Sequence, residues 1–341
     1  MALLGGAAAI AAAFVLVMEL ILAVRGFHPT IVDSEGQWQK QRRRAADLGA
    51  RALILVGDSR MQTNFDLDAL RETSRLEPVE LGIDGTSFVP ALAGLAADPH
   101  VTGSILVGYS AAEVLRAQAS DAAARYAANY LRRPRGELLT SAQSEAWLSD
   151  RLHAALASYA DGARPLDSLL LRVFDAAAAP QYVVTYPDRT RGIDYARVNV
   201  RSLSIRSALY ELDGNANVAA TGSLEERERA LRVRIDALQP ADTEAFAARI
   251  DAVEAMTRTI QARGGKVYFI ALPVAGSTAG VESRRYPRAQ FWDRFAARSS
   301  AHCLHFEDDP RFRDFAPADG LHLDRSQRRA FSTALAQALQ L

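Results

Sequence analysis

The chain has 341 residues, 49% of them apolar, which is enough for one large or two modest cored domains and too apolar for disorder. Forty basic residues balance forty acidic ones, so no global field draws the chain to nucleic acid or to acidic partners. With Cys303 as its single cysteine it can form no intramolecular disulfide, and that thiol, in the apolar run His302–Phe306, reads as buried and inert.

From Ala2 to Val24 the sequence is apolar except for Glu19, long enough to cross a bilayer core of ~30 Å as a helix. No Lys or Arg precedes the run, and Leu22-Ala23-Val24-Arg25 makes a poor cleavage site. The run therefore reads as an uncleaved transmembrane anchor rather than a signal peptide. An acid deep in lipid costs ~2.5–3.5 kcal/mol. Glu19 is expected near the interface, reaching water; the sharper alternative is a contact with a partner helix or a polar cavity. Residues 25–50 form a connector with a basic helical stretch. Its Arg25, Lys40 and Arg42 to Arg44 all follow the span, which by the positive-inside rule favours a cytoplasmic C-terminal domain.

Ala52–Val56 is a short uninterrupted run of apolar, mostly branched residues, the pattern of a strand covered on both faces. It breaks at Gly57 and at once presents Asp58 and Ser59, and the stretch from Met61 to Arg71 is expected as a helix whose positive N-terminus faces the serine. Parallel sheets bind ligands at the carboxyl ends of their strands. A second strand with a glycine turn follows (Val79 to Gly85), then a helix from Phe88 to Ala97 and a third strand, Ser104 to Val107. This βαβαβ rhythm argues for a doubly wound α/β domain over 51–341.

The rhythm stops over about 114–242, which reads as a mainly helical insertion or lid. Helices are expected over Ala111–Leu131 and Ser141–Ala160, and a hairpin from Tyr182–Tyr186 and Ile193–Tyr195. A later helix opens at Ser223 with Glu226 at capping-box spacing. The insertion's arginines and tyrosines are expected to be ordinary surface, the alternative being a substrate groove. The core resumes with Phe246, Ile250, Val253, Met256 and Ile260 at helical spacing, closed by Gly264-Gly265. A strand, Lys266–Leu272, leads to a glycine-rich loop over Val274–Pro287 carrying Arg284 and Arg285, expected to be solvated, the alternative being contacts for an anionic substrate. Helix Arg288–Arg298, strand His302–Phe306 and a closing helix from Asp324 complete the chain. No zinc-ligand spacing and no phosphate-binding glycine loop occurs, so neither metal nor cofactor is implied.

Just before the closing helix lies Asp319-Gly320-Leu321-His322. A nucleophilic serine needs a base and a group to orient it, and an acid three residues before a histidine can bring both side chains to one pocket. Gly-Asp-Ser early with Asp-x-x-His near the C-terminus resembles the GDSL/SGNH hydrolase superfamily over roughly 50–113 and 245–341. The α/β-hydrolases share the order Ser, Asp, His, but their nucleophile elbow needs a glycine where Met61 stands.

The resemblance implies a three-layer α/β/α sandwich with a mostly parallel, flavodoxin-like sheet. Within it Ser59 is the nucleophile, His322 the base and Asp319 the orienter. It also implies an oxyanion hole shared by the Ser59 amide, a glycine amide, here Gly85, and an asparagine. In Gly108-Tyr109-Ser110-Ala111 the asparagine's place is taken by Ser110. By the same resemblance the chain is expected to be a single-pass protein of the bacterial inner membrane with a periplasmic domain. Its expected activity is that of an esterase or O-acyltransferase on envelope polysaccharide beside a membrane-bound acyltransferase. The alternative is a non-catalytic scaffold of the same fold.

Overall fold

The computed structural model describes residues 2–116, 122–132, 141–159, 172, 181–214 and 222–341. Two compact units emerge, Glu35–Arg133 with Asn199–Leu341, and Met1–Ser34 with Pro134–Val198. Parts of the expected Ala111–Leu131 and Ser141–Ala160 helices, residues 117–121 and Ala160, lie outside the described residues.

The first of these units is built on a five-stranded sheet of β1 (Ala52–Val56), β2 (Glu77–Glu80), β3 (Ser104–Tyr109), β4 (Lys266–Ala271) and β5 (His302–His305). The strand order is β2-β1-β3-β4-β5 and every pairing is parallel. All five residues of β1 are fully buried, as an uninterrupted branched run demands. Ala52, Ile54 and Val56 enter one apolar cluster with Phe88, Phe246 and Phe269. Leu53 and Leu55 point the opposite way, into a second cluster with Phe65, Phe331 and Leu335. Both faces of the sheet are thus covered, each by its own helices.

The chain leaves β1 for β2 on one side and comes back to β3 on the other. The carboxyl ends of β1 and β3 are therefore the topological switch point of the sheet, the place where open α/β sheets bind ligands. Ser59 and Ser110 follow those ends. Parallel bonding continues past β2, through Leu81 N to Leu55 O and Ile83 N to Gly57 O, both 2.9 Å. That register carries the Asp84-Gly85 turn to the same edge of the sheet.

Several expected elements differ: the Arg288–Arg298 helix begins only at Trp292, the Ser141–Ala160 helix ends at Ala155, and three others change more. The Met61–Arg71 helix is two short helices, Ser59–Asn64 and Leu67–Ser74. Asp66 ends the continuity by capping the second one, its side chain accepting from Ala69 N. The expected loop over Val274–Pro287 contains a helix, Gly276–Arg285. Its glycines weaken the helical signal, and the helix is held by Val281 packing in one apolar cluster with Ile235 of helix Leu224–Asp236. Arg284 pairs with Asp236 at 3.3 Å on the surface. The closing helix begins at Arg328, after a turn over Asp324–Gln327. The expected capping box between Ser223 and Glu226 is present in full.

The other unit contains the apolar helix Ala2–Val24, long and apolar enough to cross a membrane. Glu19 does not simply reach water, because its carboxylate accepts from Ala157 N (2.7 Å) and Ser158 N (2.9 Å). Two backbone donors of the same unit satisfy the one acid in this helix. The expected hairpin is Val183–Thr185 paired antiparallel with Arg191–Ile193. Its arginines neither line a groove nor face solvent freely. Arg189 grips Asp33 with Nε at 2.6 Å and a second nitrogen at 3.1 Å, and Arg191 reaches the same carboxylate at 3.2 Å.

Candidate active site

Strand β1 is followed by Gly57, whose φ of +154° and close neighbours exclude a side chain, since a Cβ there would lie 2.6 Å from Met61. The chain turns sharply and Asp58 caps the following helix, its carboxylate accepting from Arg60 N at 2.9 Å. Ser59 is the first helical residue and points its hydroxyl out of the turn. Its Oγ lies 2.8 Å from Nε2 of His322, across 263 residues of sequence.

The histidine's other nitrogen, Nδ1, lies 2.9 Å from Asp319 Oδ2, while Asp319 Oδ1 accepts from the amides of Leu321 (3.0 Å) and His322 (2.8 Å). Burial alone would raise the Asp319 carboxyl. The His322 hydrogen bond and charge, with the two amides, outweigh it and hold the pKa at about 2. Asp319 is therefore an ionised acceptor at neutral pH, and Nδ1 must carry the imidazole proton. That leaves Nε2 as the acceptor facing Ser59, which is the tautomer a base needs. For His322 burial disfavours the charged form, but the Asp319 hydrogen bond and charge, helped by Asp58 and Asp84, raise its pKa above the ordinary 6.5.

The three residues expected as a triad are thus brought together in hydrogen-bonding contact. Gly85 takes the left-handed φ of +67° that its turn requires, and its carbonyl accepts from Tyr210 of helix Val200–Asp213 at 3.2 Å. Ser110 is buried directly after β3 and starts helix Ala111–Arg116 by accepting from Val114 N. Both follow strand ends on the edge that carries Ser59. Cys303, half-buried in β5, is pushed up to about 11 by burial and stays protonated at neutral pH, as an inert thiol should.

A buried charge cluster beside Ser59 was not foreseen. Arg60, with a side chain only 5% exposed, donates Nε to both Asp58 oxygens at 3.1 and 3.0 Å and another nitrogen to Glu113 at 3.0 Å. Glu113 also accepts from Phe88 N at 2.8 Å. Burial opposes the charge on Arg60, but Asp58 and Glu113 outweigh it and keep the guanidinium protonated. Burial and the Asp58 charge push Glu113 well above the ordinary carboxylate range. Two more acids lie in this field, Glu211 and Glu282, both raised chiefly by burial, Glu282 to about 7. The signal in the sequence was the position of the charges. Arg60 follows Ser59 directly, and Glu113 stands three residues after Ser110.

The fold and this constellation define a class, an α/β protein with a Ser–His–Asp hydrogen-bonded relay at the carboxyl edge of a parallel sheet. No protein-family model matches the chain, and no curated protein matches it.

Ser110 makes a quantitative expectation possible. A serine hydroxyl reaches less far than an asparagine amide, and one oxyanion donor is worth about 10²–10³ in rate. On the hydrolase reading proposed below, slow turnover of a small aryl acetate is expected from the native chain. Ser110→Asn is expected to raise kcat, with Ser110→Ala close to wild type. A hundredfold loss in Ser110→Ala would show that serine already fills the donor's place.

Proposed function

We propose that this chain is a membrane-anchored, serine-dependent acyl-ester hydrolase or O-acyltransferase of the SGNH type, built as a three-layer α/β/α sandwich. The observation that carries the reading is the continuous contact from Ser59 Oγ to His322 Nε2 (2.8 Å) and from His322 Nδ1 to Asp319 (2.9 Å). In this reading Ser59 attacks the ester carbonyl as His322 takes its proton, and the Ser59 and Gly85 amides hold the developing oxyanion, with Ser110 in the asparagine's place a weak donor at most. His322 then returns the proton to the leaving alcohol. Water as second acceptor gives hydrolysis, and a sugar hydroxyl gives transfer. An apolar helix long enough to span a bilayer supports a substrate held at the cell envelope, namely O-acyl groups of an envelope or exported polysaccharide, beside a membrane-bound acyltransferase. A periplasmic domain follows from that assignment. One observation favours a second reading, a non-catalytic scaffold: Ser110 where the SGNH pattern has asparagine.

One experiment tests reaction class and topology together. In intact bacterial cells expressing the chain, a membrane-impermeant fluorophosphonate is expected to label the protein. Labelling only after the inner membrane is opened would overturn the periplasmic placement. No labelling under either condition would favour the scaffold.

A further inference from the structure

We propose that Asn64 is a positioning residue that sets the reach of His322 to Ser59, an inference that rests on the hydrolase reading above. Asn64 ends the six-residue helix that Ser59 begins, and it is fully buried. Its side chain meets the histidine loop on both flanks. Oδ1 accepts from Leu323 N at 2.9 Å, and Nδ2 faces Leu321 O at 3.5 Å. The neighbouring Thr63 hydroxyl lies 2.9 Å from Ser59 O and 3.0 Å from Asn64 Oδ1, so its one hydrogen serves the nucleophile's own carbonyl or the asparagine. The next two residues continue the seam. Arg328 donates Nε to Phe65 O at 3.0 Å, and Asp66 N donates to Ser332 Oγ at 2.8 Å.

What the seam controls follows from what the catalytic loop controls by itself. Every contact between Asp319 and His322 is internal to residues 319–322, two amides and Nδ1 on one carboxylate. That pair would travel intact if the loop shifted. Its distance to Ser59 is not internal to the loop. Ala275 N holds the near end by donating to Gly320 O at 3.1 Å. Beyond the histidine, Asn64 ties the loop to the helix that carries the serine. Moving reacting groups by about 1 Å can cost about a hundredfold in rate. Asn64 therefore acts on the Ser59–His322 separation and not on the His322 proton affinity.

The test uses the full chain in detergent with Asn64→Ala, and with Asn64→Ser in its place where alanine fails to fold. Amide hydrogen exchange at single-residue resolution is expected to show Leu323 losing protection while Leu321 and His322 keep theirs. On a small aryl ester, kcat is expected to fall about a hundredfold with KM unchanged. The acid limb of the kcat/KM profile is expected to stay where it is in wild type. Retained protection at Leu323 overturns the proposal, as does unchanged kcat once that protection is lost. A shifted acid limb overturns it as well, because the Asp319–His322 pair would then have been disturbed. A wild-type chain that turns over no ester overturns the hydrolase reading alone, and the exchange pattern still decides whether Asn64 holds the loop.

Discussion

Ser59→Ala is expected to lower kcat by about 10⁶ while the protein stays folded, the order of loss seen when the nucleophile of a serine triad is removed. Substitution at this position separates chemistry from stability well. Ser59 occupies the first turn of a helix already capped by Asp58, and alanine is the best helix former. Its hydroxyl lies 2.8 Å from His322 Nε2, so truncation removes the proposed nucleophile and a hydrogen bond without leaving a large cavity. The Arg60, Asp58 and Glu113 cluster that shapes the turn does not use the Ser59 side chain. KM should change little, since the serine contributes to the transition state more than to ground-state binding. The measurement is kcat on an aryl ester for purified wild type and variant with matching circular dichroism and melting curves. Unchanged turnover in a folded Ser59→Ala protein would sink the enzyme reading.

The parts of this site that were legible in the sequence are those whose cause is local. Ala52–Val56 is buried on both faces because five apolar residues in a row leave no polar face, and Gly57 is required by a turn two residues before the serine. Asp319 and His322 pair within a four-residue loop, so spacing alone announces them. The Ser223–Glu226 box is equally local. What escaped is non-local. The helix break after Asn64 is held by Arg328 on Phe65 O and Ser332 on Asp66 N, over 260 residues later in the chain. Arg60 and Glu113 meet because β1 and β3 are adjacent, with Val56 beside Val107. Helix Gly276–Arg285 reads as a loop until Val281 joins Ile235 in one apolar cluster. Glu19 likewise gives no sign of its partners, since Ala157 and Ser158 offer only backbone amides.

Asp319→Asn is expected to leave a folded protein whose kcat/KM at neutral pH is down by about 10⁴. The carboxamide can keep one oxygen on the amides of Leu321 and His322, so the loop retains its shape. Its nitrogen then faces His322 Nδ1 as a donor, which forces Nδ1 to be an acceptor and moves the imidazole proton to Nε2. Nε2 would point a hydrogen at Ser59 Oγ, 2.8 Å away in wild type, and could no longer take the serine's proton. The pH profile carries the second half of the prediction. His322 acts as a base only when neutral, so rate rises as pH passes upward through its pKa, which in wild type lies above the ordinary 6.5. Burial lowers that pKa, and the Asp319 hydrogen bond and charge are the main effects that raise it. Removing them must move the acid limb of kcat/KM to lower pH. The variant is therefore expected to be slower at every pH and to reach its own plateau sooner on the acid side. A profile of kcat/KM from pH 4 to 9 on one ester checks this, and an acid limb that stays in place or moves upward would show that Asp319 does not set the charge state of His322.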